Sequence, residues 1–235
     1  MPATQPSVAE VTKLFEAELH LGHKRNRLHP KARKFVYKIE NGTSIIDLTQ
    51  TVVQIAAAKA YLKKAKEENK SILVVATKKV ASAYVSELCK KEKIPYITTK
   101  WLPGLLTNFQ TIIKNVKKMN EMRIARDENG WDNLTKHERV QNAKYVAKLE
   151  KFYAGIADLT KKPDVLLILD IRKEHNAVDE AKKTGVTIVA VTDTNTDPES
   201  VDYPMVANDD SPKAIEYLVS DVLGSYTKAE VKEAK

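Results

Sequence analysis

The chain has 235 residues, 43% of them hydrophobic, which allows one large domain, or one domain with an appendage, around a substantial core. Lys and Arg number 39 against 31 Asp and Glu, so the formal net charge is +8 at neutral pH. The single cysteine, Cys89, excludes an internal disulfide and a cysteine-based zinc finger, and no apolar run is long enough for a membrane span. The start of the chain lacks the pattern of a secretory signal, so a reduced, cytoplasmic protein with a polyanionic partner is expected.

The first predicted elements are a helix, a hairpin and a second helix. Ser7 can cap a helix, with Glu10 three residues later in capping-box spacing. The stretch "FVYKIENGTSIID" sets an Asn-Gly pair between two β-prone runs, which predicts a β-hairpin. The next stretch, "LTQTVVQIAAAKAYLKKAKEEN", predicts a helix whose last turns are rich in lysine.

From Ser71 onwards, short apolar runs alternate with helical patterns. The predicted strands are "SILVVAT", "PYITT", "DVLLILD" and "VTIVAVT". The predicted helices are "KKVASAYVSELCKKEK", "KEHNAVDEAKKTG", which ends at Gly185, and "SPKAIEYLVSDVLGSY". Continuous Ile, Leu and Val runs that alternate with helices indicate a parallel sheet covered by helices on both faces.

Two longer helical patterns interrupt this alternation between residues 101 and 162. Their apolar residues recur at spacings of four and three, as in a coiled-coil seam: Leu105, Phe109, Ile112, Val116 and Met119 in the first, and Val146, Leu149, Tyr153 and Ile156 in the second. The turn "DENGWDN" lies between them. We therefore predict an antiparallel α-helical coiled-coil hairpin at 103–160, inserted in an α/β sheet domain of residues 7–102 and 161–225, with flexible ends at 1–6 and 226–235.

The segment "GHKRNRLHPKARKFVYK", residues 22–38, is the strongest functional signal. It holds seven Lys or Arg and no acid. Like charges at this density destabilise a fold unless counter-charge is supplied, and RNA phosphates would supply it with release of counterions. Arginines can also stack on unpaired bases. The predicted RNA-binding residues here are Lys24, Arg25, Arg27, Lys31, Arg33 and Lys34; a solvated charge run is the alternative.

Further candidate RNA contacts lie near the ends of predicted strands. Lys78 and Lys79 follow "SILVVAT" and enter a helix, at the sheet edge where α/β proteins bind ligands and a helix start favours phosphate. Because this loop has no glycine, it is neither a Walker loop nor a dinucleotide fingerprint, and an external phosphate backbone suits it better than a buried cofactor. Two exposed lysines at a helix start are the alternative. Lys100 and Asn108 flank "WLPGLLT", a stretch that mainly predicts packing, and both could reach RNA.

Residues 192–210 have the opposite charge, with six acids and no Lys or Arg. Asp193 and Asp197 follow the strand "VTIVAV", and with His23 they are candidate ligands for a single divalent metal ion, zinc or magnesium. Alternatively, Asx turns and caps explain several of these acids without any ligand, or the segment repels RNA and faces a protein. The sequence has no serine elbow, supported Cys–His pair or glycine-rich phosphate loop, so an enzyme is not expected.

Several sequence blocks occur in the order of one known family. They are "LGHKRNRLHPKARKFVY", "NGTSIIDLTQT", "ILVVATKK", "KWLPGLLTNFQTI", "KPDVLLILD" and "VTDTNTDP". Over residues 8–223 the chain resembles small-subunit ribosomal protein two, the uS-two family, in its bacterial form. Lys100 departs from the family pattern, in which arginine is usual, and this puts any bidentate contact at that position in doubt.

The resemblance implies a flavodoxin-like doubly wound parallel sheet with a protruding helical hairpin, and no enzymatic activity. It implies a structural role in the cytoplasmic ribosome, bound to small-subunit ribosomal RNA and to neighbouring small-subunit proteins. In many bacteria one such neighbour is the large messenger-holding ribosomal protein. Some members hold a metal near the residues that match His23 and the acidic segment.

Two other functions are compatible with the residues alone. The first is an enzyme or sensor that binds a small phosphate ligand at the carboxyl edge of the sheet, although the missing glycine-rich loop argues against it. The second is a free-standing RNA-binding regulator that acts outside the ribosome.

Overall fold

The computed structural model describes residues 6–128 and 130–229. The N-terminal helix α1 (Val8–Glu16) begins at the predicted capping box: the Ser7 hydroxyl accepts a hydrogen bond from the Glu10 amide, and the Glu10 carboxylate accepts one from the Ser7 amide. After the first three strands, helix α2 (Leu48–Glu67) begins at Asp47, whose carboxylate accepts from the Thr49 amide. Both predicted helices are confirmed.

A small antiparallel sheet consists of β1 (Leu21–Lys24), β2 (Val36–Glu40) and β3 (Thr43–Ile46), in the order β1-β3-β2. The predicted hairpin joins β2 to β3. Asn41 and Gly42 both have positive φ, at 48° and 78°, as the tight two-residue hairpin turn requires. Strand β1 was not predicted, because "LGHK" shows no alternation of apolar and polar residues.

The main sheet is parallel and has five strands: β4 (Ile72–Val75), β5 (Tyr96–Ile97), β6 (Val165–Ile168), β7 (Thr187–Thr192) and β8 (Tyr203–Val206). Their spatial order is β5-β4-β6-β7-β8, every neighbouring pair being parallel. Counted along the chain this is the order 2-1-3-4-5 of flavodoxin-like sheets. Strand β8 was not predicted; it contains Pro204, which only an edge strand tolerates.

Helices cover both faces of this sheet, so the predicted mixed α/β architecture is confirmed. Alternate strand residues point to opposite faces: Val74 and Leu167 face the core with α1, α2, α3 (Lys79–Lys91) and α7 (Pro212–Thr227). Leu73 and Leu166 face the core that includes α6 (His175–Thr184). Cys89 on α3 lies in the first core with no exposure, and burial raises the pKa of its thiol to about 12.

Two consecutive helices, α4 (Phe109–Asp127) and α5 (Lys136–Tyr153), pack against each other. The Lys118 ammonium lies 5.1 Å from the Tyr145 ring centroid, and Arg126 lies 3.4 Å from the Glu150 carboxylate. Of the residues of the predicted seam, Leu105, Val116, Met119, Val146 and Ile156 are buried. Ile113, which was not assigned to the seam, is buried as well. Part of the predicted turn, Asn129, lies outside the described residues.

The ends of helices α6 and α7 can be compared with the boundaries predicted from the sequence. Helix α6 ends at Gly185 (φ 68°), as predicted, and α7 continues two residues past the predicted boundary at 225. Tyr226 is buried there, and its hydroxyl donates to the Lys70 carbonyl at 2.7 Å. The predicted flexible residues 1–5 and 230–235 lie outside the described part of the chain. None of the helices in the described ranges combines the length and the apolar character that a membrane crossing requires.

Candidate nucleic-acid interface

The basic segment, residues 22–38, has more regular structure than predicted. It contains most of β1, two short 3-10 helices (Arg25–Arg27 and Pro30–Phe35) and the start of β2. Pro30 supplies the φ that a helix start needs, and the His29 imidazole accepts a hydrogen bond from the Lys31 amide at 3.3 Å. Ala32 is fully buried, so the second short helix is anchored to the body of the protein and its charged side chains project from a fixed backbone.

The basic segment packs directly on the acidic segment, residues 192–210. A Cβ at Gly22 would lie 2.6 Å from the Thr194 methyl carbon and 3.0 Å from the Ser44 carbonyl, so only glycine allows this approach. The Thr194 hydroxyl accepts from the His23 amide at 2.9 Å, and its carbonyl accepts from the His29 amide at 2.8 Å. The two segments of opposite charge therefore form one continuous surface.

Two lysines of the predicted RNA-binding set pair with acids of this surface. The Lys31 ammonium lies 2.8 Å from Asp197 and 3.2 Å from Glu199, while Lys34 lies 2.8 Å from the other oxygen of Glu199. The hydrogen bond to Asp197 raises the pKa of Lys31, and the bond from Lys34 lowers the pKa of Glu199. We call Asp197 and Glu199 the acidic clasp.

Of the five remaining cations of the segment, Lys38 pairs with Glu40 at 3.1 Å, and the other four belong to the predicted RNA-binding set. Lys24, Arg25, Arg27 and Arg33 are exposed, and no ion pair to them is found within residues 6–128 and 130–229. Their backbone is nevertheless held, since the Arg25 amide donates to the Gly42 carbonyl at 2.8 Å. Lys24, Arg25 and Arg27 lie at the end of β1 and on the first short helix, and Arg33 lies on the second. Three guanidinium groups and one ammonium thus project from ordered backbone, where they can meet phosphate oxygens and base faces.

The carboxyl edge of the main sheet is occupied by the protein's own charges. Lys78, which follows β4, lies 2.7 Å from Asp210, 2.8 Å from Asp209 and 3.7 Å from Asp170. Burial works to lower the pKa of Lys78, but these carboxylates keep it above its ordinary value.

Further bonds close the crevice between β4 and β6. The Thr77 hydroxyl donates to the buried Glu174 carboxylate, and Lys173 donates to the Thr77 carbonyl at 2.7 Å. This is where flavodoxin-like folds place a small ligand, so the network argues against the phosphate-ligand alternative. Of the two lysines predicted here, Lys78 is held internally while Lys79 is exposed.

A single carboxylate organises the loop that carries Lys100 and Asn108. Glu180 on α6 accepts hydrogen bonds from the Trp101 indole at 3.0 Å and from the amides of Gly104, Leu106 and Thr107 at 2.8, 3.0 and 3.3 Å. The Thr107 hydroxyl also donates, at 3.3 Å. Partial burial favours a higher pKa, but these donors together hold the pKa of Glu180 below its usual value. Lys100 and Asn108, both exposed, are fixed on either side of this loop, and the Asn108 side chain accepts from the Thr111 hydroxyl.

A candidate metal cluster joins the basic and acidic segments. The His23 Nδ1 lies 2.9 Å from Asp193, its Nε2 lies 3.6 Å from Asp210, and ligand atoms from His23, Asp193, Asp209 and Asp210 all fall within 4.8 Å of one another. The hydrogen bond to Asp193 raises the pKa of His23. Burial and the neighbouring Asp193 raise the pKa of Asp209, so the site favours a cation or a proton.

The composition of this cluster differs from the predicted set. His23 and Asp193 meet as predicted, whereas Asp197 lies with Lys31 in the acidic clasp. Asp209 and Asp210 were missed, although only Asn208 separates them from the β-prone run "YPMVA". Recognition of β8 would have placed them at the carboxyl edge of the sheet beside Asp193.

Comparison with known proteins gives consistent results. The family model described as "Ribosomal protein S2" matches residues 14–229. Proteins named "Small ribosomal subunit protein uS2" are similar to the chain: that of Coprothermobacter proteolyticus is 38% identical over 216 residues, covering 92% of this chain and 81% of the relative. The relative from Cytophaga hutchinsonii is 40% identical, covering 91% and 84%, and that from Corynebacterium diphtheriae is 38% identical, covering 97% and 86%.

Proposed function

The chain belongs to the ribosomal protein S2 family, and from that premise we infer that it is a structural constituent of the small ribosomal subunit and supports translation. The family is one of ribosomal structural proteins rather than enzymes. The closed crevice at Lys78 supports the same conclusion for this chain, because its charges are already paired with each other. The protein accordingly acts in the ribosome, in the bacterial cytoplasm.

Within this role, the basic segment is the proposed contact to small-subunit ribosomal RNA. The observation that carries this proposal is the ordered, exposed group of Lys24, Arg25, Arg27 and Arg33, none of which forms an ion pair in the described residues. Because folded RNA supplies closely spaced phosphates, it can neutralise this group, and the bound counterions released add to the affinity. Lys31 and Lys34 join the contact when they leave the acidic clasp. Lys79, Lys100, Asn108 and, less directly, Lys78 are secondary contacts.

The α4–α5 pair is proposed to be the antiparallel coiled-coil hairpin of residues 103–160, inserted in a sheet domain made by residues 7–102 and 161–225. The packing of Val116, Met119 and Val146 at heptad-like spacing supports this proposal. Lys114, Lys117, Lys144 and Lys148 are exposed on these helices. We expect this basic face to lie against ribosomal RNA or a neighbouring small-subunit protein. The large messenger-holding ribosomal protein is a proposed neighbour in bacteria that have it.

A single divalent ion, zinc or magnesium, is the proposed cofactor of the cluster at His23. One imidazole and three carboxylates suit zinc, whereas magnesium would use the carboxylates alone, and Asp193 and Asp209 are almost fully buried. The Asn195 amide oxygen is buried and has no hydrogen-bond partner among the described residues, while the amide nitrogen of the same side chain lies 3.0 Å from His23 Nε2. A bound ion would supply a cross-link between β1 and the loops that follow β7 and β8. In its absence, a proton on His23 and the Lys78 ammonium offset part of the negative charge.

Replacement of Arg25, Arg27 and Arg33 by Glu tests the proposed RNA contact. We expect this triple variant to fold normally, since all three side chains are exposed, but to be excluded from small subunits in cells. The matched control changes Lys63, Lys90 and Lys182, exposed on α2, α3 and α6, to Glu and so alters net charge equally. Sedimentation and immunoblotting of the tagged proteins measure incorporation. Normal incorporation of the arginine variant would refute the assignment.

Two simpler measurements address the other candidate functions. A thermal-shift screen with nucleotides and sugar phosphates would reveal a small phosphate ligand, because such a ligand stabilises the native state.

Sedimentation of the wild-type protein away from small subunits would indicate a free-standing regulator.

A further inference from the structure

We propose that Asp197 and Glu199, the acidic clasp, are specificity-determining residues that act as intramolecular substitutes for RNA phosphate. They occupy Lys31 and Lys34 in the free protein and so reduce its affinity for arbitrary polyanions. Ribosomal RNA that is already docked on the neighbouring arginines displaces them. This inference rests on the proposed RNA contact.

The clasp is fixed by the backbone on both sides. Asp197 caps the short helix Pro198–Ser200: its carboxylate accepts from the Glu199 amide at 3.0 Å, and its carbonyl accepts from the Ser200 hydroxyl at 2.7 Å. On the other side, Lys31 and Lys34 project from the short helix anchored by buried Ala32. The three ion pairs therefore result from how the two segments pack, and not from a chance meeting of mobile side chains.

Glu199 is the acid that both lysines share, although Lys31 is also held by Asp197 at 2.8 Å. One of its carboxylate oxygens lies 3.2 Å from Lys31 and the other 2.8 Å from Lys34, so a single charge holds two cations. Lys31, Lys34 and Glu199 are 50%, 56% and 51% exposed. Ion pairs this accessible to water are weak, so an incoming phosphate can replace the carboxylate at little energetic cost.

The neighbouring cations explain why this arrangement favours one RNA over others. Arg25, Arg27 and Arg33 are exposed and form no ion pair in the part of the chain that the structure describes, so any polyanion can reach them. A flexible single strand gains only these contacts unless it also opens the clasp. A folded RNA whose phosphates match both sets of cations gains all of them. Discrimination therefore comes from lowering the affinity for the wrong ligand, which is an established route to specificity.

The test compares the full-length variant Glu199→Gln with Glu87→Gln, which removes an exposed charge from α3 and changes the net charge equally. Binding of a polyuridylate 20-mer is measured by fluorescence anisotropy between about 50 and 200 mM salt. For Glu199→Gln we expect an affinity about threefold above wild type and a log–log salt slope steeper by up to about 0.7, because Lys34 is released while Lys31 stays paired with Asp197. For Glu87→Gln we expect a change below about twofold and an unaltered slope.

A second variant separates the clasp from a general loss of negative charge. Adding Lys34→Gln to Glu199→Gln should abolish the gain, because the released lysine is then absent. A gain that persists in this variant, or equal behaviour of Glu199→Gln and Glu87→Gln, would overturn the proposal. Neither result would affect the RNA contact itself. The contact fails independently if wild-type binding does not depend on Arg25, Arg27 and Arg33.

Discussion

Glu180 and Glu199 are glutamates that each hold a loop in place, but their partners differ in kind. Glu180 meets one indole N–H, three backbone amides and a hydroxyl, all neutral donors in a partly buried site. Glu199 meets two ammonium groups, in a site half open to water. The donors around Glu180 are fixed in a partly buried loop, where an external acceptor cannot easily replace the carboxylate. The lysines around Glu199 are exposed, so a phosphate can replace the carboxylate there. The hydrogen bonds to Glu180 therefore stabilise the fold, whereas the ion pairs of Glu199 can be replaced by a ligand.

The largest expected effect comes from removing the first carboxylate. Glu180→Ala leaves the Trp101 indole and the Gly104 and Leu106 amides without an acceptor, so we expect a loss of about 2–4 kcal/mol in the free energy of unfolding. Urea denaturation followed by circular dichroism measures this loss. Glu87→Ala, an exposed position on α3, is the control and should change stability by less than about 0.5 kcal/mol. A similarly small change for Glu180→Ala would contradict the assigned role.

An effect of intermediate size is expected when the pH is lowered, because the contribution of Glu180 to stability depends on its charge. The pKa of Glu180 is lowered in the folded protein, so its charged form stabilises the fold fully above the unfolded pKa of about 4.5, and that stabilisation is lost as the pH falls through the folded pKa. We therefore expect the stability gap between wild type and Glu180→Gln to be widest at neutral pH and to narrow in acid. Thermal melts of both proteins at neutral pH and near pH 3 measure the gap. A gap that widens in acid would mean that the neutral acid is the form preferred by the fold.

The smallest expected effect on stability belongs to the clasp. Glu199→Gln removes two exposed ion pairs, which water and salt screen, so it should hardly change the free energy of unfolding. The same variant is expected to change RNA affinity clearly, which is the reverse of Glu180→Ala. Parallel urea melts in low and high salt supply the measurement. A loss as large as that of Glu180→Ala would show that the clasp is structural, and the contrast between the two regions would disappear.

Much of the fold follows from local signals in the sequence. The apolar runs "ILVV" and "VLLI" predict β4 and β6, and the Asn41-Gly42 pair predicts the hairpin. Ser7 with Glu10 predicts the start of α1. Each signal works because a backbone requirement and the residue that meets it are neighbours in the chain.

The missed features depend on residues far apart in sequence. Strand β1 is polar and exists because Gly22 lets it approach Thr194, 172 positions later, while β8 carries a proline that argues against a strand. Glu180 lies on a helix where glutamate usually faces water, so nothing local indicates its five donors. The contacts of Lys31 with Asp197 join positions separated by 166 residues. The basic segment was therefore recognised as a site, but its division into free and paired cations was not.

The burial of Cys89 has a practical consequence. With a thiol pKa of about 12 and no exposed surface, this side chain offers almost no thiolate at neutral pH and no path for a reagent. A cysteine introduced at a surface position of α5 would then be the sole target of a maleimide dye. Fluorescent reporters can therefore be attached without first replacing Cys89.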